Sequence, residues 1–138
     1  MLSVALTGLN YGTTYNVGVR AQDNPGNISA TATVSFTTLP SAPGTPTASN
    51  IAGTSATVSW SAATDANGVT GYSYQINGGA WSASSDVLSV NLTGLGYGGS
   101  YTITVRAEDA AGNSGPTASG TFTTPPSTPG VPAVSNIK

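Results

Sequence analysis

The sequence predicts an all-β protein in which two antiparallel sheets pack face to face as a sandwich. Short segments alternate apolar and polar residues, as strands do when one of their faces is buried. Clusters of Gly, Asn and Pro separate these segments at spacings of about 8 to 12 residues, which is typical of sandwiches. No segment has the apolar period of about 3.6 residues that an amphipathic helix needs.

The chain also repeats itself. LTGLNYGTTYNVGVRAQDNPGN at residues 6–27 returns as LTGLGYGGSYTITVRAEDAAGN at residues 92–113, an offset of 86 residues. Residues 1–52 align without a gap on residues 87–138, and more than half of the aligned positions are identical. A solenoid unit spans about 20 to 50 residues, whereas a small domain spans roughly 100. We therefore predict tandem domains with a period of 86 residues.

Each strand of the complete copy can be assigned from its alternation. The segment from Ser55 to Trp60 places Ala56, Val58 and Trp60 on one side. The next rows that we expect to point inward are Tyr72, Tyr74 and Ile76, then Leu88, Val90 and Leu92, then Tyr101, Ile103, Val105 and Ala107, and finally Phe122. After the row that ends at Ile76, Asn77-Gly78 predicts a type I′ hairpin whose returning strand begins at Trp81.

Composition excludes several functions. Charged residues make up 6% of the chain and the net charge is −2, so clustered Lys and Arg for a nucleic acid are absent. No run of about 20 apolar residues is present to span a membrane. The segment MLSVALTGL recurs as VLSVNLTGL and lacks the features of a signal peptide, so we interpret it as a strand.

The chain also lacks the residues that enzymatic catalysis commonly uses. The chain has no His and no Cys, and its five acids are Asp23, Asp65, Asp86, Glu108 and Asp109. Glu108 and Asp109 are adjacent in a strand and therefore point to opposite faces, which prevents them from acting as a carboxylate pair. We predict no catalytic residues, no cofactor and no enzymatic activity.

The motifs TSATVSW, GYSYQI, LTGLGYGGSYTITVRAEDAAGNSG and TFTT resemble a bacterial fibronectin type III domain. YSYQINGGAW is similar to the hairpin of bacterial immunoglobulin-like domains. Trp60 matches the Trp that closes the family's second strand, and Leu95 with Tyr101 matches its tyrosine corner. Leu9 and Tyr15 repeat the corner in the first copy. The resemblance implies a core that includes Trp60, Tyr74, Leu95, Tyr101 and Phe122.

The resemblance sets the domain frame. Residues 1–38 are expected to be the last three strands of one domain, residues 39–44 a Pro-rich linker, residues 45–124 a complete domain, and residues 125–138 a second linker with the first strand of a following domain. A fragment of about 40 residues rarely folds alone. Two explanations are open: the chain is part of a longer polypeptide, or neighbouring chains exchange strands.

The segments Leu39–Pro46 and Pro125–Pro132, which contain the linkers, carry a proline at every third position, namely Pro40, Pro43 and Pro46 in the first and Pro126, Pro129 and Pro132 in the second. This spacing suits an extended polyproline conformation rising about 3.1 Å per residue. Each linker is therefore predicted to be a stiff spacer. In a fibronectin type III fold the two termini sit at opposite ends, so the resemblance implies that the repeats form an elongated rod.

Three kinds of surface site are candidates. In a fibronectin type III fold, Asp65 and Asn67 lie at the same end as Asp109 and Asn113, where their oxygens could bind calcium or could fold onto the backbone of their own turns. Tyr97 and Trp81 could stack on sugar rings or cover the edge of a sheet. Arg20 and Arg106 fall at outward positions and are interpreted as part of a solvated face.

The predicted function is a non-catalytic structural and interaction module, arranged as a rod in an extracellular bacterial fibre, a surface adhesin or a phage tail. The alternative is a spacer or carbohydrate-binding accessory domain of a secreted polysaccharide-degrading enzyme. Expected partners are neighbouring repeats or copies of the chain, with carbohydrate as the alternative. The expected location is extracellular, on the cell surface or in a virion.

Overall fold

The computed structural model describes residues 2–138, and all its regular elements are strands. The strands are β1 (Thr14–Val19), β2 (Ala32–Thr37), β3 (Thr47–Ser49), β4 (Ser55–Ser59), β5 (Val69–Ile76), β6 (Ser89–Thr93), β7 (Ser100–Asp109) and β8 (Ser114–Thr123). All strand pairs are antiparallel. The predicted all-β class is confirmed. Among the described residues, no helix is long and apolar enough to cross a membrane.

Strands β3 to β8 form two three-stranded sheets, ordered β3-β4-β6 and β5-β7-β8. The buried apolar residues lie between these sheets, as the alternation predicts. They are Ala56, Val58, Trp60, Tyr72, Leu92, Leu95, Ile103, Val105, Ala107 and Phe122. Tyr74 and Tyr101 are partly buried and pack against this cluster. The two layers with their shared core make up the sandwich.

Trp60 occupies the core with 7% of its surface exposed. Its ring centroid lies 6.1 Å from that of Tyr72 on the facing sheet, and the two planes are tilted by 57°. This tilted arrangement is favourable for aromatic pairs. The Tyr72 hydroxyl accepts a hydrogen bond from the backbone N–H of Ala63, at 3.0 Å, so its polar end is satisfied near the edge of the core.

The hairpin after β5 differs from the prediction. Asn77 and Gly78 have φ values of 50° and 70°, as a type I′ turn requires, and the N–H of Gly79 donates to the carbonyl of Ile76. Trp81, however, does not begin a strand. The segment that follows the turn does not form a regular ladder with β5. It pairs with β5 at one isolated antiparallel bridge, between Tyr72 and Ser85. Leu88, which was expected to point inward, is 41% exposed because it lies before the start of β6.

The first copy contains two strands, β1 and β2, where three were expected. Residues 3–7 align with β6, whose hydrogen-bonding partner in the complete copy is β4. No counterpart of β4 lies in the first copy, so residues 3–7 have no ladder to join and are not a strand. The same absence exposes the inward face: Val19 is 64% exposed, whereas the aligned Val105 is fully buried.

The tyrosine corner has the same geometry in both copies. The Tyr101 hydroxyl accepts a hydrogen bond from the N–H of Gly96 at 2.7 Å, and the Tyr15 hydroxyl accepts one from the N–H of Asn10 at 2.9 Å. Each tyrosine also stacks on the phenylalanine opposite it in the ladder, with centroids 5.4 Å apart for Phe122 and 5.9 Å apart for Phe36. The aligned segments therefore adopt the same local structure.

Candidate functional site

Asp109 and Asn113 lie in the turn between β7 and β8, and their side chains bond to each other and to the turn. One Asp109 oxygen accepts the N–H groups of Ala111 and Asn113, at 2.9 and 2.8 Å. The other accepts the Asn113 side-chain amide at 2.9 Å. The sequence-related turn in the first copy has the same bonds between Asp23 and Asn27. Both carboxylates therefore stabilise their own turns.

These hydrogen bonds explain the acidity of the two carboxyls. The Asn113 side-chain amide, its backbone N–H and the neighbouring turn N–H groups hold the pKa of Asp109 below its usual value. The pKa of Asp23 is lowered for the same reason, with Asn27 as the main donor. Donors stabilise the charged form, so both carboxylates are ionised and bonded at neutral pH.

Asp65 and Asn67 lie in the turn between β4 and β5. One Asp65 oxygen accepts the N–H of Asn67 at 2.8 Å, while the other is buried without a hydrogen-bond partner among residues 2–138. The Asn67 side-chain amide donates to the carbonyl of Gly12, far away in sequence. This turn therefore connects the complete copy to the first copy.

The structure brings three of the four calcium candidates to one cleft. Asn67, Asp109 and Asn113 line a cleft of about 380 Å³ together with Thr37. In the described part of the chain, no three acidic, His or Cys side chains come together as metal ligands. The carboxylate oxygens of Asp109 are already occupied by donors of its own turn. Asp109 and Asn113 stabilise their own turn, whereas the Asn67 side chain bonds to Gly12 instead of to its own turn.

Trp81 and Arg106 form a contact that the sequence interpretation missed. The Arg106 guanidinium lies over the Trp81 ring, 4.1 Å from its centroid. Arg106 also pairs with Glu108 at 3.6 Å. The alternation of β7 correctly places Arg106 outward, but the stacking depends on how residues 79–88 fold back, which alternation does not specify. Arg106 is therefore not part of a fully solvated face.

Glu108 is the centre of a small polar cluster beside this stack. Its carboxylate accepts a hydrogen bond from the hydroxyl of Ser73, which is buried. The hydroxyls of Ser73 and Ser84, followed by the Arg106 charge, lower the pKa of Glu108. The cluster ties the returning segment to the outer face of the β5-β7-β8 sheet.

Tyr97, the second aromatic considered for sugar stacking, lies elsewhere. Its ring packs on the backbone of Gly53, where a β-carbon would lie 2.1 Å from the ring, and 59% of its surface is exposed. Trp81 has one face covered by Arg106. Each ring therefore has its own neighbour in a different part of the fold.

A further contact surface, which we call the corner–loop joint, connects Tyr11 and Gly12 to Thr64–Asn67. The N–H of Ala66 donates to the Tyr11 carbonyl at 3.1 Å, and the Asn67 amide donates to the Gly12 carbonyl. The only sequence signal for this joint is the Asp-x-Asn-Gly turn, which is equally expected in any exposed loop. Sequence reasoning missed it because the two partners lie 55 residues apart.

The first linker is part of the same joint. The N–H of Ser41 donates to the Thr64 carbonyl, and the N–H of Thr64 donates to the Ser41 hydroxyl, both at 2.9 Å. Pro40, Pro43 and Pro46 are all buried. Prolines at every third position would share one side of a polyproline segment, and here all three are packed against the rest of the protein. The extended conformation stays a prediction, whereas the structure shows that the linker is held by hydrogen bonds of Ser41 to Thr64 and of Gly44 to Ser61.

Comparison with known proteins agrees with this architecture. A family model described as the fibronectin type III domain matches residues 41–123. The chain belongs to the fibronectin type III family. A two-domain fibronectin type III segment of chicken tenascin has the same fold, with a TM-score of 0.59 at 24% identity over 85% of this chain and 68% of that one. The family resemblance seen in the sequence motifs is confirmed.

Similar fibronectin type III sequences occur in bacterial proteins with enzyme names. Endoglucanase B of Cellulomonas fimi is 41% identical over 91% of this chain, and Chitinase A1 of Niallia circulans is 42% identical over 80%. The chain spans only 14% and 17% of those two proteins. The structure of Chitinase ChiA74 from Bacillus thuringiensis gives a TM-score of 0.56 at 29% identity, covering 62% of this chain and 13% of that one.

Proposed function

We propose that this chain is a non-catalytic spacer module of a secreted polysaccharide-degrading enzyme. The proposal depends on one observation: the relatives match most of this chain, but the matched part is a small share of their own length. Relatives named as an endoglucanase and a chitinase align over 91% and 80% of this chain, yet the aligned part is 14% and 17% of their lengths. Such a module is a small part of a large protein. These names support an accessory role rather than a fibre, an adhesin or a phage tail.

The site geometry supports a structural role for the module. The acids with clear roles are engaged in turns or in a sheet-face cluster, as shown for Asp23, Glu108 and Asp109. Acid–base catalysis would need a titrating group free to reach a substrate. The contacts at the corner–loop joint and along the first linker instead fix the position of one segment relative to the next. A module that sets distance and orientation needs this property.

The spacer role predicts a selective effect on insoluble substrates. In the protein that carries this chain, we expect deletion of residues 1–138 to lower the hydrolysis of insoluble polysaccharide several-fold and to leave the turnover of soluble oligosaccharides unchanged. A flexible Gly/Ser linker of equal residue number is the control, and it should not restore the lost activity. Equal loss on both substrates, or the lack of any catalytic domain in the carrier protein, would reject this function.

Carbohydrate binding is the second candidate, and the exposed ring of Tyr97 is the observation that favours it. Retention of the chain on insoluble chitin and cellulose, measured against serum albumin, separates the two roles. The spacer role predicts no retention above albumin. Retention that Tyr97→Ala abolishes and Trp81→Ala preserves would instead assign a sugar-binding surface at the tyrosine corner.

A further inference from the structure

The second tyrosine corner has the same backbone as the first. The N–H of Gly98 donates to the Pro125 carbonyl at 3.0 Å, as the N–H of Gly12 does to the Leu39 carbonyl at 3.4 Å. The φ angles of these two glycines are 62° and 61°. Residues 97 and 98 therefore have the same local backbone geometry that places the carbonyls of residues 11 and 12 in the first copy.

The surroundings of the two corners differ. A β-carbon on Gly12 would lie 2.1 to 2.3 Å from the Asp65 carboxylate, so the loop of the complete copy is seated directly on this corner. A β-carbon on Gly98 would have no heavy atom of residues 2–138 within 4 Å. The first corner is occupied and the second is open.

The two linkers show the same contrast. The prolines of the first linker are buried against the sandwich that follows them, and Pro40 is among the most buried side chains of the chain. The equivalent prolines of the second linker, Pro126, Pro129 and Pro132, are all exposed. The proline spacing is the same in both, so the difference arises from what the segment packs on.

We propose that Tyr97, Gly98 and the segment Pro126–Pro132 form a docking surface for the turn of a further repeat of this sequence that follows along the same polypeptide. The occupant is a second copy of the Asp65–Gly68 turn. Its backbone N–H and asparagine amide would donate to the carbonyls of residues 97 and 98, as Ala66 and Asn67 do to residues 11 and 12.

The turn and the corner are already complementary within this chain. Two donors of the turn meet two carbonyls of the corner, and the prolines of the adjoining linker are buried beside them. Because the partners are joined by a short segment of the same chain, their effective concentration is on the order of millimolar, so weak contacts suffice to hold them. Successive repeats would then keep a fixed orientation. This holds whether the array separates enzyme domains or builds a fibre, so it does not rest on the proposed function.

The test compares this chain with a version extended at its C-terminus by a copy of residues 53–138. The readout is the hydrogen-exchange rate of the Ala66 amide and of its equivalent in the added repeat. We expect both amides to be protected in the extended chain. Gly98→Ala should raise the exchange rate at the added joint at least tenfold, and Gly12→Ala should do the same at Ala66. In the 138-residue chain, Gly98→Ala should leave the Ala66 rate unchanged.

Gly12 and Gly98 form a matched pair because both have positive φ, so an added β-carbon imposes the same backbone strain at each. If strain alone unfolds a corner, an Asn→Ala change at the equivalent of Asn67 in the added repeat provides a second variant, since it removes the donor from the added loop without altering either corner, and it should raise the exchange rate at the added joint while leaving that of Ala66 unchanged. An unprotected amide at the added joint of the unsubstituted extended chain would overturn the proposal. Full protection there in the Gly98→Ala variant would overturn it as well.

Discussion

At the scale of single residues, the two tryptophans show how burial decides energetic importance. Trp60 is 7% exposed between the sheets, whereas Trp81 lies on the outer face beneath Arg106. Both are large aromatic residues, and both occur at the end or start of a segment with alternating pattern. The alternation of apolar and polar residues was enough to predict that Trp60 is buried, because the strand that it follows is regular. Trp81 follows a turn, and its environment depends on the path of an irregular segment.

Trp60→Ala should destabilise the sandwich by about 3–5 kcal/mol, because it removes a core side chain and leaves a cavity between the sheets. A small domain has a net stability of only about 5–15 kcal/mol, so the variant will be close to unfolding at 37 °C. Urea denaturation followed by circular dichroism measures the change. Trp81→Ala is the control, and it should cost roughly 1 kcal/mol, the value of a partly exposed cation–π contact. Equal losses would contradict this assignment of the core.

The carboxylates of Asp109 and Glu108 should make stability depend on acid pH. Both have a pKa below the usual range when folded. Their contribution is therefore fully present above the unfolded values of about 3.9 and 4.3, and it is lost as the pH falls through the lower folded values. We expect the free energy of unfolding to be constant from pH 7 to about 5 and to decrease below about pH 4.

Asp109→Asn should make this decrease shallower, since the amide cannot be protonated in that range and its nitrogen cannot accept from Asn113. Asp86→Asn removes the same charge from an exposed site and serves as the control, with the acid decrease retained. Denaturation curves at five pH values between 2 and 7 provide the measurement. A decrease that stays as steep in Asp109→Asn as in the control would argue against a role for this turn.

At the scale of elements, a tyrosine corner forms from local sequence alone, whereas a strand forms only where a neighbouring strand is present to pair with it. Tyr101 and Tyr15 form the same corner because all its atoms lie within six residues. Residues 3–7 and 89–93 have similar sequences, but only the second set is a strand, because only it has β4 beside it. A strand's identity therefore depends on its neighbour as well as its pattern.

Tyr101→Phe should lower the free energy of unfolding by about 0.5–1.5 kcal/mol, the net value of one hydrogen bond, because the N–H of Gly96 loses its acceptor. The ring and its stacking on Phe122 are retained. Tyr97→Phe, which changes an exposed tyrosine of the same loop, should stay within about 0.5 kcal/mol of the parent chain. Thermal unfolding of both variants tests the corner, and an unchanged midpoint for Tyr101→Phe would show that water replaces the lost acceptor.

At the scale of the whole molecule, the first linker behaves as part of the sandwich. Its prolines are buried, and Gly120 allows the carbonyl of Pro46 to approach where a β-carbon would lie 2.0 Å away. A tether that packs on a domain along its length fixes both distance and direction. This combination is what a spacer in a multidomain protein requires.

Pro40→Ala should destabilise the chain by roughly 1–3 kcal/mol, from lost apolar burial and from the greater entropy of the unfolded chain. Pro126→Ala, at the equivalent and exposed position, should change stability by less than about 0.5 kcal/mol. Chemical denaturation of the two single variants gives the comparison. Similar values for both would mean that the first linker is not held against the sandwich.

The sequence by itself determined the all-β class, the inward rows of β4 and β7, the type I′ turn at Asn77-Gly78 and the fibronectin type III family. Each of these depends on period, on a required φ angle or on a short motif, all of which are local properties. The tertiary structure alone decided that Arg106 covers Trp81, that Asn67 bonds to Gly12 and that the first linker is buried. These contacts join residues far apart in the sequence, 55 positions for Asn67 and Gly12, or depend on an irregular segment, so their geometry is set by the packing of the whole chain.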